Sequence, residues 1–483
     1  MQSTSRAPLR IEGPSFKPPS KGLFWLWLCL LSSVILFLGV GFAGPDVFIT
    51  TESGVEYPLV ISEDTDETVT WIGRLTDMTK LHQLIYLEAK VRRPENITAN
   101  VEFTYQQEII VTAEGGKKEG GGYHEKIIDE KRHIKTITCK AGEVWCSDIS
   151  VFATHQVIHD EYLVAVKFVH PGELGSFCPH CTGTGVQHFY VHFGMHYINP
   201  NFTRWQICWK TLFSFVTILA MFLPCRGGLA GYFWQLRKVL KSNWADIQIW
   251  VGVLLTMLLF FNDPMFIIEV FSDYGALLSA VYILFLCAFL ATLMFFWLCM
   301  LHETSKVGGR TVEGSAPVEI MKGIGFYLPK IIFCAMFWIL ITVAYVYVRV
   351  AQEGDPSYDA LEDSMHYKLV TTTVTVAMAI YTGWILYHGL NAMGNVRKLP
   401  PQILFTFMFT VLMIILVIVC VGIGATYPLP SASYEFLLFY GLTNVYVWTL
   451  TFAYAPLYAS STTLTEESDG DGIEVGPLSA AAV

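Results

Sequence analysis

The chain is 483 residues long, 53% hydrophobic and only 15% charged, where an ordinary soluble domain carries about 25% charged residues. That composition excludes a soluble globular protein and sets the class as an integral membrane protein. A formal charge of −10, with no basic patch interleaved with aromatics, excludes nucleic acid as a partner.

Residues 1–22 form a tail carrying Arg6, Arg10, Lys17 and Lys21. Leu23–Phe42 is the first of eight apolar runs that approach the ~20 residues needed to cross a bilayer. It reads either as an anchor helix, 23–44, or as a cleaved signal peptide with Gly41 and Ala43 before the cut. The apolar stretch Leu23–Val40 exceeds the usual h-region of roughly 7–15 residues, which favours the uncleaved anchor.

Residues 45–204 are of mixed polarity and read as an all-β domain. Alternating or β-branched runs recur in QLIYLEAKV from Gln83, ANVEFTYQQEIIVTA from Ala99, EKIIDEKRHIKTITC from Glu125, EYLVAVKFV from Glu161 and VQHFYVHFGMHY from Val186. Short strands at this spacing predict a sandwich. The Gly-rich stretch Glu114–Gly122 lacks the strand-to-helix context of a phosphate loop and reads as a hairpin connection.

Four of the eleven cysteines lie in this domain: Cys139, Cys146, Cys178 and Cys181. Cys178-Pro-His-Cys181 has the form of a thiol–disulfide exchange centre, yet Thr182-Gly-Thr-Gly185 and a strand follow it, with no helix to stabilise a thiolate. Zinc is also weighed, since His188-x3-His192 follows. Only six residues separate the two pairs, where zinc fingers commonly place about twelve or more. Structural disulfides are the expectation, with Cys139–Cys146 and Cys178–Cys181 the most local of three pairings, and no metal. His188, His192 and His196 fall on one strand face. They are either scattered surface histidines or sensors of the acidity met along the secretory route. Two glycosylation sequons start at Asn96 and Asn201, the second close to the membrane.

Seven further spans fill residues 205–460: Trp205–Pro224, Ile247–Phe271, Tyr274–Met300, Gly323–Val348, Leu369–Leu390, Leu404–Tyr427 and Phe436–Tyr458. Lys and Arg concentrate in the N-terminal tail and in the connections after the second, fourth and sixth spans. The positive-inside rule then places both termini in the cytosol and residues 45–204 in the lumen or outside the cell. Asn262-Asp263-Pro264 interrupts the third span, where an ionisable residue is expensive and Pro264 frees helix carbonyls. At 1.5 Å per residue, Asp263 lies roughly 24 Å from its cytosolic edge and Lys210 about 7–8 Å from the luminal edge, matching depths in a core of about 30 Å. The two make either a structural ion pair or part of a ligand site. Asn444 lines the same cavity or hydrogen-bonds across helices. Glu269 and Tyr446 complete the candidate set. Residues 461–483 form an acidic tail, read as disordered, that suits solvation or a cytosolic sorting adaptor.

Phe261-Asn-Asp-Pro-Met-Phe266, Phe296-Trp-Leu-Cys-Met300, Phe326-Tyr-Leu-Pro-Lys330 and Phe436–Tyr446, ending in Tyr454-Ala-Pro456, resemble the transmembrane protein 181 family. That family belongs with Wntless among proteins that join a luminal GOLD-like β-sandwich to seven helices. Cys139 and Cys146 resemble a short-spaced luminal pair of the family, whereas Cys178-Pro-His-Cys181 departs from its pattern. The resemblance implies a trafficking or cargo-receptor role in Golgi, endosomal or surface membranes. Its partners would be membrane lipids and a luminal or secreted cargo, without a cofactor. A seven-helix signalling receptor is the second reading, but Met300-Leu-His-Glu-Thr304 and Tyr454-Ala-Pro456 stand where its familiar motifs would fall. A channel or transporter is the third, disfavoured by the lack of an internal repeat. An enzyme comes last, because no zincin, triad or phosphate motif is present.

Overall fold

A computed structural model describes residues 20–52, 57–61, 69–93, 102–117, 124–155, 157–169, 187–223, 231–238, 246–272, 275–307, 324–358, 364–394, 401–424 and 432–454. Among the described residues, nine strands build the β-domain: β1 (Phe48–Glu52), β2 (Tyr57–Ile61), β3 (Val69–Leu75), β4 (Ile85–Arg92), β5 (Phe103–Gly116), β6 (His124–Cys139), β7 (Trp145–Thr154), β8 (Glu161–Val169) and β9 (Gln187–Ile198). One sheet runs β1-β9-β4-β7, with β2 also pairing β9; the other runs β3-β8-β5-β6. Every pairing is antiparallel. Strict alternation of buried and half-buried residues along β4 and β8 gives each sheet one apolar face. Those faces close on Trp71, Ile109, Val111, Phe152, Val166 and Phe193.

β5 and β6 pair as far as Gly116 and His124, so the Gly-rich stretch joins a hairpin. The chain then crosses from the end of β6 to the start of β7, in the opposite sheet. The Cys139–Cys146 disulfide staples that corner, and Arg93 reinforces it by donating to the carbonyls of Glu143 and Lys140. Cys178, Cys181 and Asn96 lie outside the described residues.

Among the described residues, ten helices accompany the sandwich: α1 (Ser20–Phe42), α2 (Pro200–Phe222), α3 (Tyr232–Lys238), α4 (Asp246–Phe261), α5 (Phe266–Phe271), α6 (Gly275–Val307), α7 (Ile324–Gly354), α8 (Met365–Gly394), α9 (Pro401–Gly424) and α10 (Ser433–Ala453). Among the described residues, six helical spans are long and apolar enough to cross a membrane, with α4 and α5 counted together. Shorter apolar stretches, Leu30–Phe42 and Leu404–Ile415, lie in α1 and α9. The third span is therefore two helices. Pro264 cannot continue α4, and the chain turns through Asp263 at a φ of 55°, the left-handed region that Asp tolerates better than most residues.

α6 is the most enclosed span, packed against α4, α7 and α8. α1 lies along α10. Phe37 fills the notch left by Gly441, Gly41 lets the backbone of Tyr434 approach, and Phe42 stacks on Tyr434 at 4.7 Å. Such packing makes α1 part of the bundle.

The sandwich is seated on the bundle at two places. β9 runs straight into α2, whose first turn is capped by the Asn199 side chain. Beside it the 3₁₀ turn Lys80–His82 touches α2 and α5. Thr203 Oγ1 donates to the Leu81 carbonyl at 2.6 Å and accepts from Gln83 Nε2 at 3.0 Å, while Lys80 Nζ donates to the Phe271 carbonyl at 3.2 Å. On the other side, β6 and β7 meet the end of α7. Lys131 Nζ is 3.2 Å from Asp355 Oδ2, His133 Nε2 is 2.6 Å from Ser357 Oγ, and Ala153 N donates to the Pro356 carbonyl at 2.7 Å.

Thr203 is wholly buried in the first contact, which bears on glycosylation. The hydroxyl of the Asn201 sequon is committed to the folded turn, and Asn201 sits in the first turn of a spanning helix. Asn96→Gln is expected to abolish the glycan mobility shift on a gel, and Asn201→Gln to leave it unchanged. A shift lost with Asn201→Gln contradicts this placement.

Candidate ligand site in the membrane

The helix break and α2 converge on one polar centre. Lys210 projects from α2 and is 5% exposed; Asp263, in the break, is equally buried. Lys210 Nζ lies 3.0 Å from Asp263 Oδ2, so the two depths counted along the sequence correspond to one contact. Aromatic rings surround the ammonium: the centroid of Phe266 on α5 is 3.6 Å away, Tyr282 on α6 4.7 Å and Tyr440 on α10 6.0 Å. The hydroxyls of Tyr282 and Tyr440 hydrogen-bond each other. A cation held by a carboxylate and by ring faces loses less on leaving water than a bare one does.

Asn262 turns the other way from Asp263. Its side-chain amide exchanges two hydrogen bonds of 2.7 Å with Asn444 on α10, and its Nδ2 also donates to Thr217 Oγ1 on α2 at 3.1 Å. Asn444 Nδ2 donates as well to the Tyr440 carbonyl at 2.9 Å. Glu269 on α5 reaches Ser279 on α6, whose hydroxyl accepts from Arg349 Nη2 of α7 at 3.2 Å. Pro264 itself is exposed at the break. Tyr446 is brought elsewhere. Its hydroxyl accepts from Trp297 Nε1 and pairs with Thr410 Oγ1, both at 3.1 Å, on the side of the bundle formed by α6 and α9.

Tyr282, Tyr440 and Arg349 had no signal in the sequence, because spans that are apolar on every face give no rotational phase. A second buried cluster also went unread. His302 on α6 stacks on His388 of α8 at 4.3 Å, and Lys330 of α7 lies over Phe326 at 3.3 Å. Beside it is a cavity of about 20 Å³ lined by Trp250, Phe296, Glu303 and Tyr327, room for about one water.

In the sandwich, His192 and His196 stand on the outer face of the β9 sheet, opposite the core residues Val191, Phe193 and Met195. His188 is in the same strand. His196 Nε2 is 3.2 Å from Glu88 Oε1. Burial raises the Glu88 carboxyl, but the hydrogen bonds from His196 and Lys90 outweigh it and hold it below its ordinary 4.5. That contribution is complete above the ordinary value and disappears only in stronger acid, below any secretory compartment.

The histidine that sequence reasoning passed over is His82, in the seating turn. Its Nδ1 accepts from the Thr79 N–H at 2.9 Å, closing a capping box, and its ring packs on Tyr197. Burial lowers its pKa from the ordinary 6.5, against a smaller opposite effect of the Thr79 backbone. The neutral ring therefore stabilises the turn fully above pH 6.5, and the stabilisation fades as pH falls toward the lowered value. The full chain should lose thermal stability between roughly pH 7.2 and 5.8, on either side of a histidine pKa. His82→Gln, which keeps the box without a titrating group, should shrink that loss. An equal loss in both proteins refutes the assignment.

A sandwich seated on a helical bundle with a buried ionic centre defines a multi-pass membrane protein. The Wntless-like transmembrane domain family matches residues 199–458, more than half of the chain, and the protein belongs to that family. It is also similar to human transmembrane protein 181, with 26% identity over 441 residues, covering 87% of this chain and 82% of that protein.

Proposed function

We propose that the protein is a trafficking receptor. Its sandwich faces the lumen or cell exterior and captures a secreted or lipid-linked cargo there, and the polar centre of the bundle responds. One observation carries this reading: the Lys80–His82 turn rests on both α2 and α5, the elements that bring Lys210 against Phe266. A ligand that shifts the sandwich thereby acts directly on the ionic centre.

Golgi, endosomal and surface membranes suit such a role, and the 461–483 tail suits a sorting adaptor. Cargo release on acidification falls to His82 at the seating turn and to His188, His192 and His196 on the outer sheet face. The deciding experiment compares the secreted proteins of cells with and without the protein by quantitative mass spectrometry. A defined subset should be retained inside the deficient cells and return to the medium on re-expression. An unchanged secretome, accompanied by altered ion flux or second-messenger level, overturns the proposal in favour of a channel or a signalling receptor.

A further inference from the structure

The surroundings of Lys210 have the form of a binding site already filled by a tethered group. Phe266, Tyr282 and Tyr440 come from three different helices, and Asp263 comes from the break between α4 and α5. All four converge on one point, and Lys210 reaches it from α2 on a flexible four-carbon stem. Ring faces around a carboxylate are the recognised chemistry for a quaternary ammonium. A primary ammonium uses such a cage poorly, because it carries three N–H donors. Among the described residues its hydrogen bond goes to Asp263 Oδ2, and ring faces are its other close neighbours. A methylated ammonium has no donors to satisfy and presents apolar surface to all three rings.

The backbone beneath the point supports the same conclusion. Asp263 is held at a φ of 55°, a conformation that costs energy for a residue with a side chain and is concentrated at ligand clamps. α5 follows directly on this turn, so the turn at Asp263 sets where Phe266 is placed. Glu269, a second acidic side chain, interacts electrostatically with both Lys210 and Asp263 while hydrogen-bonded to Ser279.

We propose that this cage binds the quaternary ammonium group of a choline-type ligand, and that Lys210 occupies it at rest and is displaced when the ligand enters. The exchange keeps one cation beside Asp263 in both states. It rests on the receptor reading only for the purpose of the exchange, since the chemistry of the cage stands on its own contacts. The group is carried either by a phosphatidylcholine headgroup or by a free choline compound, and the test separates the two.

The experiment uses the full-length protein purified in a maltoside detergent, free of choline lipids. Lys210→Ala, which empties the cage, is expected to melt lower than the parent. Tetramethylammonium chloride should restore a large share of the lost melting temperature, where sodium chloride at equal ionic strength does not. The restoration should vanish when Phe266→Leu or Asp263→Asn is added. If Lys210→Ala cannot be purified, the parent protein gives the readout: acylation of Lys210, followed by mass spectrometry, should accelerate when a choline ligand displaces the side chain. Acceleration in phosphatidylcholine nanodiscs over phosphatidylglycerol nanodiscs identifies the lipid source, and acceleration by soluble choline alone identifies the free one. Absence of rescue together with ligand-independent labelling overturns the proposal, as does rescue that survives loss of Phe266 and Asp263. Because these readouts come from purified protein, they stand or fall separately from the secretion experiment.

Discussion

Lys210→Met is expected to destabilise the protein by about 3–5 kcal/mol, because it strands the Asp263 carboxylate in a low-dielectric interior. The Lys210–Asp263 contact is 3.0 Å long and both side chains are at most 6% exposed, so loss of the ammonium leaves the buried carboxylate without its partner. Removing both charges together should cost clearly less. The partner change is best made as Asp263→Asn, since Asn also tolerates the left-handed φ that a branched apolar residue does not. Thermal or denaturant unfolding of the two single variants and the double variant measures the cycle. Additive losses would mean that the two groups do not act as a pair.

The second large effect is expected at Gly41. A Cβ built there would lie 2.4 Å from the Tyr434 Cα, which is backbone and cannot swing aside. Gly41→Leu must therefore push α1 away from α10, breaking the Phe42–Tyr434 stack and unseating Phe37 from Gly441. Overpacking of this kind costs about 1–3 kcal/mol or more. Gly39 is the internal control, because nothing lies within 4 Å of its added Cβ. Melting temperatures should fall for Gly41→Leu and hold for Gly39→Leu. Equal behaviour of the two would show that α1 is not clamped at Gly41.

Hydropathy placed the six helical spans that are long and apolar enough to cross a membrane, because the length of an apolar run reports directly on bilayer thickness, and its other two runs fall on α1 and α9, which hold shorter apolar stretches. It placed the polar centre as well, through depth counting at Lys210 and Asp263. It did not give the ring cage, which depends on how far each helix is rotated about its axis. In the sandwich, the runs with clean alternation became β4, β5, β6, β8 and β9. β1, β2, β3 and β7 went unannounced. β1 and β2 are five residues each and lie along β9, and Pro58 stands inside β2, which sequence reasoning assigns to edges at best. β7 has exposed polar residues, Ser147 and Asp148, in its first half, and it is held by β4 and the disulfide corner rather than by its own pattern. The seating turn was invisible for a different reason. Its partners, Thr203 and Phe271, are more than a hundred residues away, and no local signal reports a contact at that separation.

The pairing of α1 with α10 has a consequence for biosynthesis. Phe37 leaves the ribosome about 400 residues before Gly441, the residue whose missing side chain makes room for it. At about 5–20 residues per second, α1 waits on the order of 20–80 s in the membrane for its mate. Through that interval its contact face is open to lipid, to the insertion machinery and to other nascent chains. The α1–α10 contact thus forms late in synthesis, and a ribosome stalled anywhere before Ser433 leaves α1 without the helix that covers its face.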